Sequence, residues 1–246
     1  GNIFIADAGT SVVYKFDIQG KQLAEVGGPG WGSQQFDRPT GIDAQLGIAV
    51  YVADMGNNRI SRFDRDLNFM AALNGDDGMI DPGFGYPVDV AQSALEQLFI
   101  LDTENNRVLA LRGFNSFERV FGGIDAGPGR LRDPVALATS KGELLYVLES
   151  GRVVVFDYFG NFLRQFGNDV FTGARGLAVS PRGVLVVTPE AIHLFAREGM
   201  HQRTIRRSSL IFASDPGEFR DVTYTSIFLL ILTTHSCILF PTNSFF

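Results

Sequence analysis

Apolar and polar positions along this chain fall into a unit that recurs: a short apolar run usually ending in an acid, a polar turn, then a second apolar run. The first runs read NIFIAD (2–7), AVYVAD (49–54), QLFILD (97–102), LLYVLE (144–149) and VLVVTP (184–189), with a looser FLLILT at 228–233. Their last residues lie 47, 48, 47, 40 and 44 positions apart. Strand-length segments flank each pair and complete a set of four. In the second unit the four read PTGIDAQ (39–45), AVYVAD (49–54), RISRFD (59–64) and NFMAALN (68–74). The inner runs are nearly all apolar, as strands covered on both faces must be. The outer run alternates, Phe162, Arg164 and Phe166 against Leu163 and Gln165, as a half-exposed strand does. Helical periodicity is absent.

Six such units in 246 residues allot about 41 residues to each, the size of one four-stranded propeller blade. The expected fold is therefore all-β: a six-bladed β-propeller of four-stranded antiparallel blades forming one domain over 1–246. Its units run over about 1–28, 38–75, 85–123, 132–168, 174–207 and 218–246. The terminal blades are incomplete as given. Gly1 enters directly at a second strand, and the last unit offers FRDVTYT (219–225), FLLILT and CILFPT (237–242) with no outermost strand. An upstream segment of about 20–25 residues would supply both missing strands, so the native chain is expected to extend upstream of Gly1.

DMGNNRISRFD (54–64) and DTENNRVLALR (102–112) resemble the core of the NHL repeat, Asp-x-x-Asn-x-Arg-hydrophobic. The Gly-rich loop that precedes this core in the family, ending in Phe/Leu-x-x-Pro, has three counterparts: GGPGWGSQQFDRP (27–39), GDDGMIDPGFGYP (75–87) and GGIDAGPGRLRDP (122–134). The resemblance covers residues 1–168 and thins in the last two units, where TTHSC has neither the Asn nor the Arg. It implies a rigid interaction scaffold. The motif has a structural logic of its own. Asp54 and Asp102 end a strand, Asn58 and Asn106 accept left-handed turn geometry, and Arg59 and Arg107 open the next strand. An Arg facing an Asp across such a hairpin is expected to form a bidentate, charge-assisted bond. These six are read as structural signature residues and not as catalytic ones.

Because strands reverse within a blade, the Gly-rich loops and the turns between second and third strands share one face. Loops on a rigid scaffold are where binding usually lives. That face should display Trp31, Phe36, Arg38, Met79, Phe84, Tyr86, Arg130 and Arg132. Aromatic and Arg side chains together are what interface anchors look like. Phe36, Phe84 and Leu131 occupy equivalent loop positions, which favours plugging between blades. Trp31 has no counterpart. The expected partner-binding set is thus Trp31, Arg38, Met79, Tyr86, Arg130 and Arg132.

Charge and composition narrow the classes. A net charge of −6, with no basic run longer than Arg206-Arg207, argues against nucleic acid, and no nucleic-acid partner is expected. RNA binding, known for some animal relatives of the NHL family, is the third-ranked alternative. One cysteine, Cys237, rules out an internal disulfide framework. It suits a cytoplasmic chain and also the exported propellers that use no disulfide; an exported location, periplasmic or extracellular, is favoured. No stretch reaches the roughly 18 apolar residues of a membrane span, although the apolar tail from 217 leaves docking onto a membrane protein open. The acidic loop GDDGMID (75–81) fails the calcium-loop pattern, and its Asp76, Asp77 and Asp81 read as solvated. His193, His201 and His235 show no metal-ligand spacing, and no G-x-S-x-G is present. No metal, no cofactor and no catalytic residue is therefore expected, and the chain reads as a non-enzymatic protein-interaction or scaffold propeller. The alternative is a metal-dependent, lactonase- or lyase-like propeller enzyme.

Overall fold

The computed structural model describes residues 1–241 apart from 77, 79, 142, 213, 226 and 227. Its strands form six antiparallel sheets, each a meander of neighbours in sequence. The first holds β1 (Asn2–Asp7), β2 (Val12–Asp17) and β3 (Gln22–Gly27). The second holds β4 (Pro39–Asp43), β5 (Val50–Asp54), β6 (Arg59–Phe63) and β7 (Phe69–Asn74). In the third are β8 (Pro87–Gln92), β9 (Gln97–Asp102), β10 (Arg107–Arg112) and β11 (Ser116–Phe121). The fourth is β12 (Pro134–Thr139), β13 (Leu144–Glu149), β14 (Val153–Asp157) and β15 (Phe162–Phe166). The fifth is β16 (Gly176–Ser180), β17 (Gly183–Thr188), β18 (Ala191–Phe195) and β19 (His201–Arg206), and the sixth is β20 (Phe219–Tyr224), β21 (Phe228–Thr233) and β22 (Cys237–Pro241). This is a six-bladed β-propeller of antiparallel sheets with three described strands in each terminal blade. The chain divides into two compact units, residues 1–131 and 132–246, with three blades in each.

The second strand of each complete blade is apolar because both of its faces are covered. β5, β13 and β17 expose almost nothing, and their side chains pack against the neighbouring blade of the same unit. In the first unit, Ala53, Ile60 and Leu73 meet Ile80, Phe84, Val90 and Ile100. In the second, Tyr146 and Val155 meet Phe171, Val184 and Phe195, while Ile192 and Ile205 meet Phe219, Leu229 and Ile231. Full burial of each such side chain contributes about 1.5–3 kcal/mol, so these seams between blades supply most of the cohesion.

One irregularity recurs and matters for the site. The pairing of first and second strands slips between Pro39 and Gly41, between Pro87 and Asp89, between Pro134 and Ala136, and between Phe219 and Asp221. Thr40, Val88, Val135 and Arg220 are the residues left out of the ladder. In the fifth blade, Gly176 pairs where Gly41 does, which makes Arg175 the counterpart of Thr40. A bulge of this kind re-aims the side chain it releases.

Candidate functional site

The loop face of the first unit is built on the two complete repeat signatures. Asp54 is fully buried at the end of β5, and its Oδ2 accepts from Arg59 Nε at 2.8 Å and Asn57 Nδ2 at 2.8 Å. Its Oδ1 accepts from the Asp37 N–H at 2.8 Å. Burial pushes the Asp54 carboxyl above its ordinary range, against the pull of these three donors. The expected bidentate Arg–Asp pair does not form. Only Nε meets the carboxylate; the outer edge of the guanidinium turns to the preceding Gly-rich loop, where Nη1 donates to Trp31 O at 3.0 Å and Nη2 to Gly32 O at 2.9 Å and Gln35 O at 2.6 Å. The loop carbonyls outcompete a second bond to Oδ1, which the Asp37 N–H already supplies. Arg107 repeats the arrangement, with Nε on Asp102 Oδ2 at 2.8 Å and Nη2 on Gly83 O at 2.7 Å.

Asn58 and Asn106 adopt the left-handed geometry read from the motif, with φ of 49° and 50°. Asn58 does more, because its Oδ1 accepts from the Tyr86 N–H at 2.8 Å and so ties its turn to the following loop. Arg38 and Tyr86, each directly before a proline, are held at φ of 55° and 47°. A side chain in that region costs on the order of 1 kcal/mol or more, and a following proline adds its own restriction.

Phe36 and Phe84 are buried and plug seams between neighbouring blades, and Leu131 is buried too. Trp31 is not; it is 85% exposed, although its loop is fastened by Arg59 and by Gln35, whose Oε1 accepts from the Gly32 N–H at 3.1 Å. A shallow cleft of about 410 Å³, lined by Val12, Glu25, Val26, Gly27, Gln34 and Gln35, opens beside the same loop. Arg38 is exposed, 3.5 Å from Asp37 Oδ1, and Tyr86 and Arg130 are exposed in the next two loops. Met79 lies outside the described residues. Arg132, in the second unit, is exposed, and its N–H donates to Glu149 Oε1.

In the second unit the signature is rebuilt from other residues. Glu149 stands where Asp54 does and binds Arg152 Nε. In the fifth blade, Thr188 replaces the acid, and the fastening Arg comes from outside the motif: Arg207 Nε meets Glu190 Oε2 at 3.2 Å and its Nη1 meets Asp215 Oδ1 at 3.0 Å. Near this loop stand three charged groups that the sequence reading did not single out. Arg175 Nη2 lies 3.6 Å and Arg220 Nη2 3.3 Å from the same oxygen, Glu218 Oε2. Beside Arg220 in sequence, Asp221 is exposed to solvent, yet protein atoms crowd its carboxyl. Desolvation pushes its carboxyl up to about 6, opposed only by the Val222 N–H on Oδ1 at 2.7 Å. His193 is buried on β18 and shares the Thr204 hydroxyl with His201, at 3.1 and 3.0 Å. Its burial, then the charge of His201, pushes its pKa down. Among the described residues, no three His, Cys, Asp or Glu side chains are grouped so as to hold a metal ion, and no helix is long and apolar enough to cross a membrane.

No family model matches the chain. Over 117 residues it is 26% identical to Protein brain tumor of Drosophila melanogaster, an NHL-repeat protein, a match that covers 46% of this chain and 11% of that protein. The modest identity and the six-bladed architecture fit the NHL-type resemblance of the repeat. Among solved structures, a streptogramin B lyase superposes with a TM-score of 0.67 at 13% identity, covering 98% of this chain and 76% of that one. A catalytically inactive virginiamycin B lyase from Staphylococcus aureus with quinupristin gives a TM-score of 0.66 at 12% identity, with 98% and 80% covered. Identities this low show the fold alone. They still correct one expectation, that the chain is not an enzyme. Solved propellers sharing this architecture over nearly the whole chain are lyases, so the fold accommodates catalysis, and a missing serine elbow or histidine cluster is no argument against it.

Proposed function

We propose that the chain is an interaction propeller of NHL type that docks a protein partner on the loop face of its first unit. Trp31 is the anchor, and Arg38, Tyr86 and Arg130 are further exposed side chains of this and the next two loops. The observation behind this reading is the exposure of Trp31 on a loop held by five hydrogen bonds that the Arg59 and Gln35 side chains donate or accept. A large aromatic side chain left in water on a pre-ordered loop gives apolar area to a partner at little ordering cost. The bulges, the loop fastening and the left-handed Arg38 and Tyr86 all serve to fix where such side chains point. The test is affinity capture from the native source with wild-type chain and with Trp31→Ala and Arg38→Ala, each checked for unchanged melting. A specific partner lost with both variants supports the reading. Capture that survives the double substitution removes it.

A further inference from the structure

The repeat makes one position comparable across blades, the residue directly after Pro39, Pro87 or Pro134 and after their counterparts Ala174 and Phe219; a bulge releases it in four blades, and in the fifth the Arg175 N–H donates to Val187 O. It is Thr40 in β4, Val88 in β8 and Val135 in β12, so the fold needs no charge there. In the two last blades it is Arg175 and Arg220. These two are brought together by a close strand approach. Gly176 follows Arg175, and a Cβ on it would lie 2.6 Å from Asp221 Oδ1 and 2.7 Å from Asp221 Cα. Only glycine lets β16 and β20 come this near.

Two guanidinium groups side by side repel, and like charges on facing strands oppose pairing. One oxygen of Glu218 answers both, at 3.6 and 3.3 Å, and neither guanidinium has another side-chain partner among the described residues. The other acids of the loop are engaged elsewhere, Glu190 and Asp215 with Arg207. The trio by itself keeps a formal charge of +1, several unused N–H donors and partial exposure of all three side chains, and Asp221, next to Arg220, adds a negative charge once it ionises.

We propose that Arg175 and Arg220 form a binding site for one oxyanion, a carboxylate or a phosphate, of a small ligand, with Glu218 as the built-in competitor that the ligand displaces. Planar guanidinium forks on two neighbouring blades suit either anion, since both present paired oxygens. The site lies in the second unit, and its argument does not rest on Trp31.

The experiment titrates the whole chain with inorganic phosphate and, separately, with succinate, at constant ionic strength set by chloride, following heat or amide shifts. Saturable binding with a Kd of about 10 mM or tighter is expected for at least one of them. The ratio of the two affinities tells phosphoryl from carboxylate ligands. Arg175→Gln and Arg220→Gln should each weaken it about tenfold, while Glu218→Gln, which removes the competitor and leaves the fold's packing alone, should tighten it severalfold. Arg203→Gln, exposed on outer strand β19, should bind as the parent does. Absence of saturable binding, or binding that all three site variants leave unchanged, overturns the proposal.

Discussion

At the scale of single residues, the strongest constraints are carboxylates taken out of water. Asp54 is fully buried, and Arg59 is the one cation that touches it. Arg59→Met strips Asp54 of that charge and takes a donor from the carbonyls of Trp31, Gly32 and Gln35, of which Gly32 O keeps the Gln35 N–H. Breaking a buried pair from one side costs about 3–5 kcal/mol. A urea titration should show that loss as a lower midpoint at unchanged slope, and Asp54→Asn on top of Arg59→Met should recover part of it. Asp221 tests the opposite case, an acid with no cation on it. Its folded carboxyl is pushed up to about 6 from an ordinary 3.8, so the folded state holds the proton more tightly than the unfolded chain does. The stability this group adds is therefore present in acid and is lost as pH rises through about 6. Asp221→Asn should match the parent near pH 4 and melt higher than it near pH 8, and the gap should open across that interval. A gap independent of pH would mean that desolvation does not govern this carboxyl.

At the scale of strands, close approach between inner strands is the feature that substitution can reach directly. A Cβ at Gly176 would meet two backbone atoms, Asp221 Cα at 2.7 Å and Val222 N at 3.0 Å, and backbone cannot step aside as a side-chain tip can. Gly176→Ala should force β16 from β20 and cost about 1–3 kcal/mol. Gly123→Ala, whose nearest neighbour is Arg107 Cβ at 3.9 Å, should cost far less in the same denaturation series. The strands themselves were legible: QLFILD and FLLILT coincide with β9 and β21, because strands buried on both faces leave a run of apolar residues that nothing else explains. So was the plugging role of Phe36 and Phe84. Phe171 does the same work in the fifth blade, but the motif around it has decayed to FTGA. Arg175 and Arg220 were not legible. Arg175 follows Phe171 as Thr40 follows Phe36, but without the proline that marks the position, and Arg220 has neither landmark, since both fall in the units where the motif thins. The bidentate pair failed for a related reason: the competing loop carbonyls lie 24–28 residues away and meet Arg59 only in the fold.

At the scale of the molecule, the two units differ in charge as much as in motif. Residues 1–131 hold 17 acids against 10 basic residues, and residues 132–246 hold 10 against 11, so the net −6 comes from the first unit alone. The proposed partner face lies on this acidic unit and the proposed anion site on the other, an allocation that electrostatic complementarity favours. It also makes the two sites separable by one probe. Trp31 is the chain's single tryptophan and is 85% exposed, so its emission in the folded protein should already be that of indole in water. Unfolding in urea should shift that emission hardly at all, while far-ultraviolet circular dichroism reports the full transition. Trp31→Ala should change stability by no more than about 0.5 kcal/mol, because only its backbone carbonyl takes part in the loop. Docking of a protein partner should shift the emission to the blue as the indole leaves water, and phosphate or succinate should not move it. An emission maximum that is blue in the free chain, or that follows the anion titration, would place Trp31 in an environment other than the open loop face.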